Sequence, residues 1–300
     1  MKIAIIDCGT NTFTLNLFKI DTSKQFKRSL KQRHYVDLAE EGIDKIGPKA
    51  FQRGIDAFQA FHHFLKNAPS TKTIAIGTAA LRRASNSSDF LEAVEAASGI
   101  RIQIIDGNRE ADLIYKGVRV AAPLGVEPSL IMDIGGGSVE FIIANQNQVY
   151  WAKSYPIGLA VLFKKFHHSD PINSNNLQDL NAYLEQTLSD LIEQLPSHSI
   201  EHLIGASGSF DVLDQMNGAK DEAALFGFIN TGAFLDICQQ LIDSDYEERL
   251  KTENLSSTRA KLIVMSVLLI KFVHQKIKSP NLVVSDHAMR EGLVYELLES

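Results

Sequence analysis

Apolar residues open the chain as a continuous run over Lys2–Ile6, stopped by Asp7 and the turn Cys8-Gly9-Thr10-Asn11. From Thr12 to Ile20 the pattern alternates, with Phe13, Leu15 and Leu17 on one side. A continuous short run predicts a buried strand, and a two-residue period predicts a strand with one buried face. A third strand is expected over Gln25–Val36. Pro48 suits the first turn of a helix reaching about Asn67, because proline lacks only an N–H that this position leaves unpaired. Thr73–Ile76 and Arg101–Ile105 read as strands, Asp89–Ala97 and Asn108–Val120 as helices, with Asn108 as the N-cap of the second.

A proline- and glycine-containing stretch, Ala122-Pro123-Leu124-Gly125-Val126-Glu127-Pro128, interrupts this pattern and is read as a domain boundary. It gives domains 1–124 and 125–300, with a last helix near 286–300 expected to pack back on the first. Beyond the boundary the opening theme returns: strand Leu130–Met132, turn Asp133-Ile134-Gly135-Gly136-Gly137-Ser138, then strands Val139–Ala144 and Val149–Ser154. Helices are expected over Asn175–Leu195, Gly232–Ile242 and Ser257–Lys276, and short strands over His202–Gly205 and Leu282–Val284. The repeat is specific. Ile5-Ile6-Asp7-x-Gly9-x-x-Thr12 and Ile131-Met132-Asp133-x-Gly135-x-x-Ser138 share apolar strand, Asp, Gly, hydroxyl and second strand. It predicts a duplicated α/β domain with the two Asp-Gly turns facing each other across a cleft.

Composition narrows the partners. A formal charge of −6 disfavours general attraction to polyanions such as nucleic acid, so any phosphate-rich ligand needs a local basic patch, helix N-termini or a bound cation. Two cysteines are too few for a disulfide framework. The N-terminal apolar run is too short for a signal peptide. The most apolar segment, Leu262–Val273, contains Lys271 and falls short of the roughly 20 residues of a membrane span. A cytoplasmic protein with no membrane segment is expected.

The chemistry-bearing residues centre on the turns. Three glycines, Gly135 to Gly137, let backbone N–H groups approach an anion closely. Asp133 can hold a divalent cation directly or through water, and Ser138 can donate to a phosphate oxygen. Hairpin turns also use Asp and Gly, but three glycines beside Asp and Ser exceed what a turn needs. The first turn, with Gly9, Thr10 and Asn11, is structural or anion-binding with equal weight when taken alone. Gly205-Ala206-Ser207-Gly208-Ser209, between a strand and a helix, suits an anion or merely close packing. Glu110, in the first turn of its helix, is placed to accept a proton from water, although first-turn acids are common for dipole reasons alone. Arg82 or Arg83 could fork onto a phosphate or simply be solvated. Lys31 with Arg33, and Lys164-Lys165 with His167-His168, are basic clusters more in keeping with surface. The paired histidines lack further ligands at zinc spacing.

Taken in order, these segments resemble the exopolyphosphatase / guanosine pentaphosphate phosphohydrolase (Ppx/GppA) family. Its D-x-G-S-N pattern is met by Asp7-Cys8-Gly9-Thr10-Asn11, with Thr for Ser. Its G-T-x-x-L-R-x-A-x-N pattern is met by Gly77, Thr78, Leu81, Arg82, Ala84 and Asn86. The Glu-bearing helix pattern is met by Ile105, Gly107, Glu110, Ala111, Leu113, Tyr115, Gly117 and Val118. D-I-G-G-G-S-x-E is met in full by Asp133–Glu140, and G-x-S-G-[ST] by Gly205–Ser209. Leu255-Ser256-Ser257-x-Arg259 and Met289-Arg290-Glu291-Gly292-Leu293 are similar to the family's last helices.

The resemblance implies the actin-like ATPase fold, two ribonuclease-H-like α/β domains with an interdomain cleft. It implies hydrolysis of terminal phosphate from inorganic polyphosphate, with guanosine pentaphosphate as rival substrate and a non-catalytic polyphosphate or alarmone sensor as a further possibility. It makes Glu110 the catalytic acid/base and Asp133, Glu140 and Asp7 the holders of Mg²⁺ or Mn²⁺. Gly9, Thr10, Asn11, Arg82, Gly135, Gly136, Gly137, Ser138, Gly208 and Ser209 then bind phosphate, and a homodimer is reasonable. Arg109 departs from the family, which has an acid there. Longer relatives continue into a further helical domain, so strongly processive action on very long chains is not expected.

Overall fold

The computed structural model describes residues 1–68, 71–218, 224–253, 255–277 and 281–299. They form two compact units, Met1–Glu110 with Val294–Ser300, and Ala111–Leu293. The first holds β1 (Lys2–Cys8), β2 (Thr12–Ile20), β3 (Phe26–Tyr35), α1 (Pro48–Lys66), β4 (Thr71–Gly77), α2 (Ala79–Arg83), α3 (Ser87–Ser98), β5 (Ile102–Ile104) and the start of α4 (Gly107–Ala121). Its sheet runs β3-β2-β1-β4-β5, antiparallel from β1 to β3 and parallel from β1 to β5.

The second unit continues with β6 (Ser129–Ile134), β7 (Val139–Ala144), β8 (Val149–Tyr155), α5 (Leu159–Phe166), α6 (Ser174–Thr187), α7 (Ser189–Gln194) and a short 3₁₀ turn, Leu195–Ser197. It is completed by β9 (Leu203–Gly205), α8 (Gly208–Asn217), β10 (Phe226–Asn230), α9 (Thr231–Asp243), α10 (Tyr246–Leu250), α11 (Ser257–Lys276), β11 (Asn281–Ser285) and α12 (Met289–Glu299), whose last residues belong to the first unit. The sheet order is β10-β11-β9-β6-β7-β8. Read from β8, the series β8-β7-β6-β9-β11 repeats the order and the strand directions of the first sheet. The added β10 pairs antiparallel at the edge. This is the duplicated ribonuclease-H-like arrangement of the actin-like ATPases.

In both units alternate residues of the first hairpin face the main core. Ala4, Ile6, Cys8, Phe13 and Leu15 do so in the first, and Leu130, Met132, Ile134, Phe141 and Ile143 in the second. Asp7 and Asp133, being out of phase with these sets, lie on the opposite sheet face. Helix α1 buries Ala50, Gly54, Ala57, Phe58 and Phe61, a stripe at helical spacing. Phe58 meets Phe13 edge-on with ring centres 5.8 Å apart. Each such buried aromatic stabilises the unit by about 1.5–3 kcal/mol. Helix α11 is buried nearly all round and forms the centre of the second unit.

Two expectations need correction. The helix foreseen over Asn175–Leu195 is bent into α6, α7 and the 3₁₀ turn, because fully buried Leu188 leaves helical geometry (φ −99°, ψ 16°). Asn108 is not an N-cap: α4 starts at Gly107, and the Asp106 carboxylate accepts the Arg109 N–H at 2.8 Å. A carboxylate at that end also meets the positive pole of the helix, which favours it over an amide. The segment carrying Arg82, given no element from the sequence, forms the five-residue helix α2.

Candidate functional site

The two Asp-Gly turns are superposable in their hydrogen bonding. Gly9 N–H donates to Thr12 O at 3.1 Å, and Gly135 N–H donates to Ser138 O at 2.9 Å. A Cβ built on either glycine would press on that same carbonyl, at 3.2 and 3.0 Å. In each unit the segment after the third strand then braces the turn. Leu38 N–H donates to Thr10 O (2.8 Å), and Val36 and Asp37 N–H both donate to Asn11 O (3.0 Å). Leu159 and Ala160, at the start of α5, donate to the carbonyls of Gly135 (3.0 Å) and Gly136 (2.9 Å).

Those carbonyl directions fix the amides. In a trans peptide the N–H points opposite to the preceding C=O. The N–H of Asn11 is therefore turned away from the 36–38 segment, and those of Gly136 and Gly137 away from α5. Successive backbone N–H groups on a small-residue turn can form a nest for an anion. The Thr10 hydroxyl is buried and has no protein partner among the described residues, which leaves it for an anion or water.

The rows of residues across the sheets differ where the turns agree. In the second unit Asp133 lies directly opposite Glu140, and Glu140 opposite Ser154. In the first, Asp7 lies opposite Thr14, and Thr14 opposite Arg33. Two carboxylates facing each other in an antiparallel pair repel, and a cation relieves that repulsion. Ser154 Oγ donates to Glu140 Oε1 at 2.6 Å and so orients an almost fully buried carboxylate. Among the described residues no cluster of three or more His, Cys, Asp or Glu side chains is fit to hold a metal. Two carboxylates suffice for Mg²⁺, which completes its shell with water and substrate phosphate. Beside Asp7, the Cys8 thiol is pushed well up by burial and by the Asp7 charge, so it stays protonated and inert.

Glu110 sits in the first turn of α4 and is buried. Arg82 Nη1 donates to its Oε2 at 2.6 Å and to Ile105 O at 2.9 Å. The structure thus places Arg82 on the Glu110 carboxylate. Arg83 faces solvent and pairs with Asp44. Arg109 forks onto the two carboxylate oxygens of Glu296 in α12. Its guanidinium is committed to that partner, which leaves the surroundings of Glu110 without a second acid from this position.

The third turn sits at the carboxyl end of β9, whose Gly205 lies level with Met132 of β6 and Val284 of β11. Ligands of open α/β sheets gather at that end. The Ser207 hydroxyl is a buried atom without a protein partner among the described residues, Ser209 bonds Ser266 at 2.9 Å, and a Cβ on Gly208 would lie 2.9 Å from an Arg259 nitrogen. Sequence reading gave no site role to Ser154, Glu296 or Arg259, although Arg259 falls in the Leu255-Ser256-Ser257-x-Arg259 segment noted above. Ser154 had a signal in its register opposite Glu140 in a predicted meander. No described helix is long and apolar enough to cross a membrane.

The two matching sheets and their paired turns give the chain the actin-like ATPase fold. Residues 17–300 match the model of the Ppx/GppA phosphatase family, and the chain belongs to that family. It is 28% identical to the guanosine-5'-triphosphate,3'-diphosphate pyrophosphatase of Vibrio parahaemolyticus and likewise to that of Vibrio campbellii. In both cases the match takes in 99% of this chain and 59% of the relative, so the chain spans about three-fifths of the length of these curated relatives. The crystal structure of an exopolyphosphatase from Cytophaga hutchinsonii is 32% identical and superposes with a TM-score of 0.96, covering 100% of this chain and 98% of that one. A family member from Aquifex aeolicus, 22% identical with a TM-score of 0.83 over 100% of this chain and 98% of its own, shares the fold.

Proposed function

We propose that the protein releases the terminal phosphate of inorganic polyphosphate by attack of water on a phosphoanhydride bond. The observation that carries this reading is the pair of braced turns whose backbone N–H groups point away from their braces, one of them beside facing carboxylates. Such groups stabilise charge on phosphoryl oxygens without rearranging during reaction. Polyphosphate is favoured over guanosine pentaphosphate by the near full-length likeness to a protein described as an exopolyphosphatase.

Glu110 orients and deprotonates the attacking water, and Arg82 fixes the carboxylate that does so. Gly9, Thr10 and Asn11 in one turn, Gly135 to Ser138 in the other, and Gly208 and Ser209 in the third contribute phosphate donors. Asp133 and Glu140 fit a divalent cation, Mg²⁺ or Mn²⁺. When bound, such an ion neutralises charge on the phosphoryl oxygens. Asp7, opposite a threonine instead of an acid, forms a weaker donor set. The place of action is the cytoplasm, where polyphosphate and guanosine pentaphosphate would both be met.

Phosphate release from tripolyphosphate, longer polyphosphates, guanosine pentaphosphate and ATP tests the assignment. Preference for guanosine pentaphosphate would move the protein to the rival activity, and tight binding without release would make it a sensor. Ser154→Ala frees Glu140 from its orienting hydroxyl. It is expected to raise the Mg²⁺ concentration for half-maximal release by about tenfold, the usual effect of losing a partner behind a metal ligand. Gly158 has its own prediction. A Cβ there would lie 2.4 Å from Gly136 C and Gly137 N, so the brace of the glycine turn must shift. Gly158→Ala should lower kcat/KM for tripolyphosphate by about 10²-fold, the scale of an ångström's misplacement.

A further inference from the structure

The first turn owes its shape to a strap that has no regular structure, and one side chain holds that strap. In the second unit the equivalent brace is the start of α5, whose N–H groups are ordered by the helix. In the first unit residues 36–38 follow the end of β3 without helix or strand. Asp37 takes a left-handed φ of 48°, unfavourable for a residue other than glycine. Such a conformation persists only where its surroundings over-determine it.

Arg53, on α1, supplies that constraint. Its Nε donates to Val36 O at 2.8 Å, its Nη2 donates to Glu40 Oε2 at 2.7 Å, and the same nitrogen lies 3.5 Å from Asp37 O. The guanidinium thus spans both ends of the strap, and its planar fork reaches two acceptors where an ammonium presents a point charge. Arg53 in turn draws the Glu40 carboxyl below the usual glutamate range. Tyr35 OH, bonding Asp37 Oδ2 at 2.7 Å, pins the strap from the other side.

We infer that Arg53 is a positioning residue for phosphate binding, holding the 36–40 strap so that the Thr10 hydroxyl and the Asn11 N–H keep their place in the turn. This rests on the polyphosphate reading above. Arg53 replaces, with one side chain, what a helix does in the other unit.

The test uses Arg53→Met, Arg53→Lys and Tyr35→Phe in the full chain. Three readouts are needed: amide hydrogen exchange at residues 36–38, tripolyphosphate binding by calorimetry, and phosphate-release kinetics, with denaturant midpoints as the measure of global stability. Arg53→Met is expected to speed exchange at 36–38 by about tenfold, the scale of a lost hydrogen bond from a charged donor. It should raise KM and the tripolyphosphate Kd by about tenfold with kcat little changed. Arg53→Lys should fall between wild type and Met. Tyr35→Phe loses one hydroxyl of a residue 49% exposed, so it folds even if Arg53→Met does not, and should move the same quantities less. Unchanged exchange and KM in folded variants overturn the inference, as does a rise in KM that only tracks the denaturant midpoint. Wild-type protein that neither binds nor hydrolyses tripolyphosphate sinks the substrate reading, and with it the role in phosphate binding. Exchange data then still decide whether Arg53 holds the strap.

Discussion

Replacing Glu110 by Gln is expected to slow phosphate release from tripolyphosphate by about 10²- to 10⁴-fold, the range that a positioned general base contributes. The substitution keeps the shape of the side chain and leaves an oxygen for Arg82, 2.6 Å away in the native protein. It removes the only feature the role requires, a carboxylate able to take a proton. Binding measured by calorimetry should therefore change little. The fold should weaken modestly, since the mostly buried Arg82 keeps its bond to Ile105 O and a neutral acceptor in place of a charged one. Stopped-assay phosphate release, with denaturant unfolding as control, reads both. A Gln variant that turns over at the wild-type rate would end the assignment of Glu110.

The largest effect on stability is expected at Gly292, in the first turns of α12. A Cβ there would fall 1.9 Å from Leu113 O and 2.9 Å from the Gly117 N of α4, while one on Gly117 would fall 2.1 Å from Ala288 O. The obstacle is backbone on both sides, so no side-chain rotation relieves it. Over-packing ordinarily costs about 1–3 kcal/mol. Forcing two helices apart at their closest approach should exceed this and reach the exceptional range above about 4 kcal/mol. Gly292→Ala is thus expected to lose most of its soluble yield or to unfold at far lower denaturant. Wild-type midpoints for this variant would show that the two helices part there at little cost.

Local patterns make much of the fold readable. The strand-turn-strand motifs depend on neighbours within about ten residues, and their Asp, Gly and hydroxyl positions recur because the same turn is built twice. The facing of Asp133 and Glu140 follows from hairpin register alone. Contacts made across sequence distance are different. Arg82 reaches Glu110 over 28 positions and Arg109 reaches Glu296 over 187, and neither spacing leaves a periodic trace. The bend at Leu188 is a tertiary choice too: burial of that side chain outweighs continued helical propensity in a segment that reads as one helix. Arg53 carries no motif, since its partners are two carbonyls and an acid on a segment without regular structure.

The return of α12 to the first unit has a consequence for biogenesis. Lys24 Nζ donates to Leu298 O at 2.6 Å, and Tyr295 meets Phe26 edge-on at 4.8 Å. Residues made early thus wait for partners translated some 270 positions later. A growing polypeptide would expose the β3 side of its opening sheet throughout synthesis, while the contiguous stretch from Ala111 to Leu293 gathers its own partners as it emerges. Order of completion then runs against order of translation, which makes the nascent stretch Met1–Glu110 the segment most in need of chaperone cover.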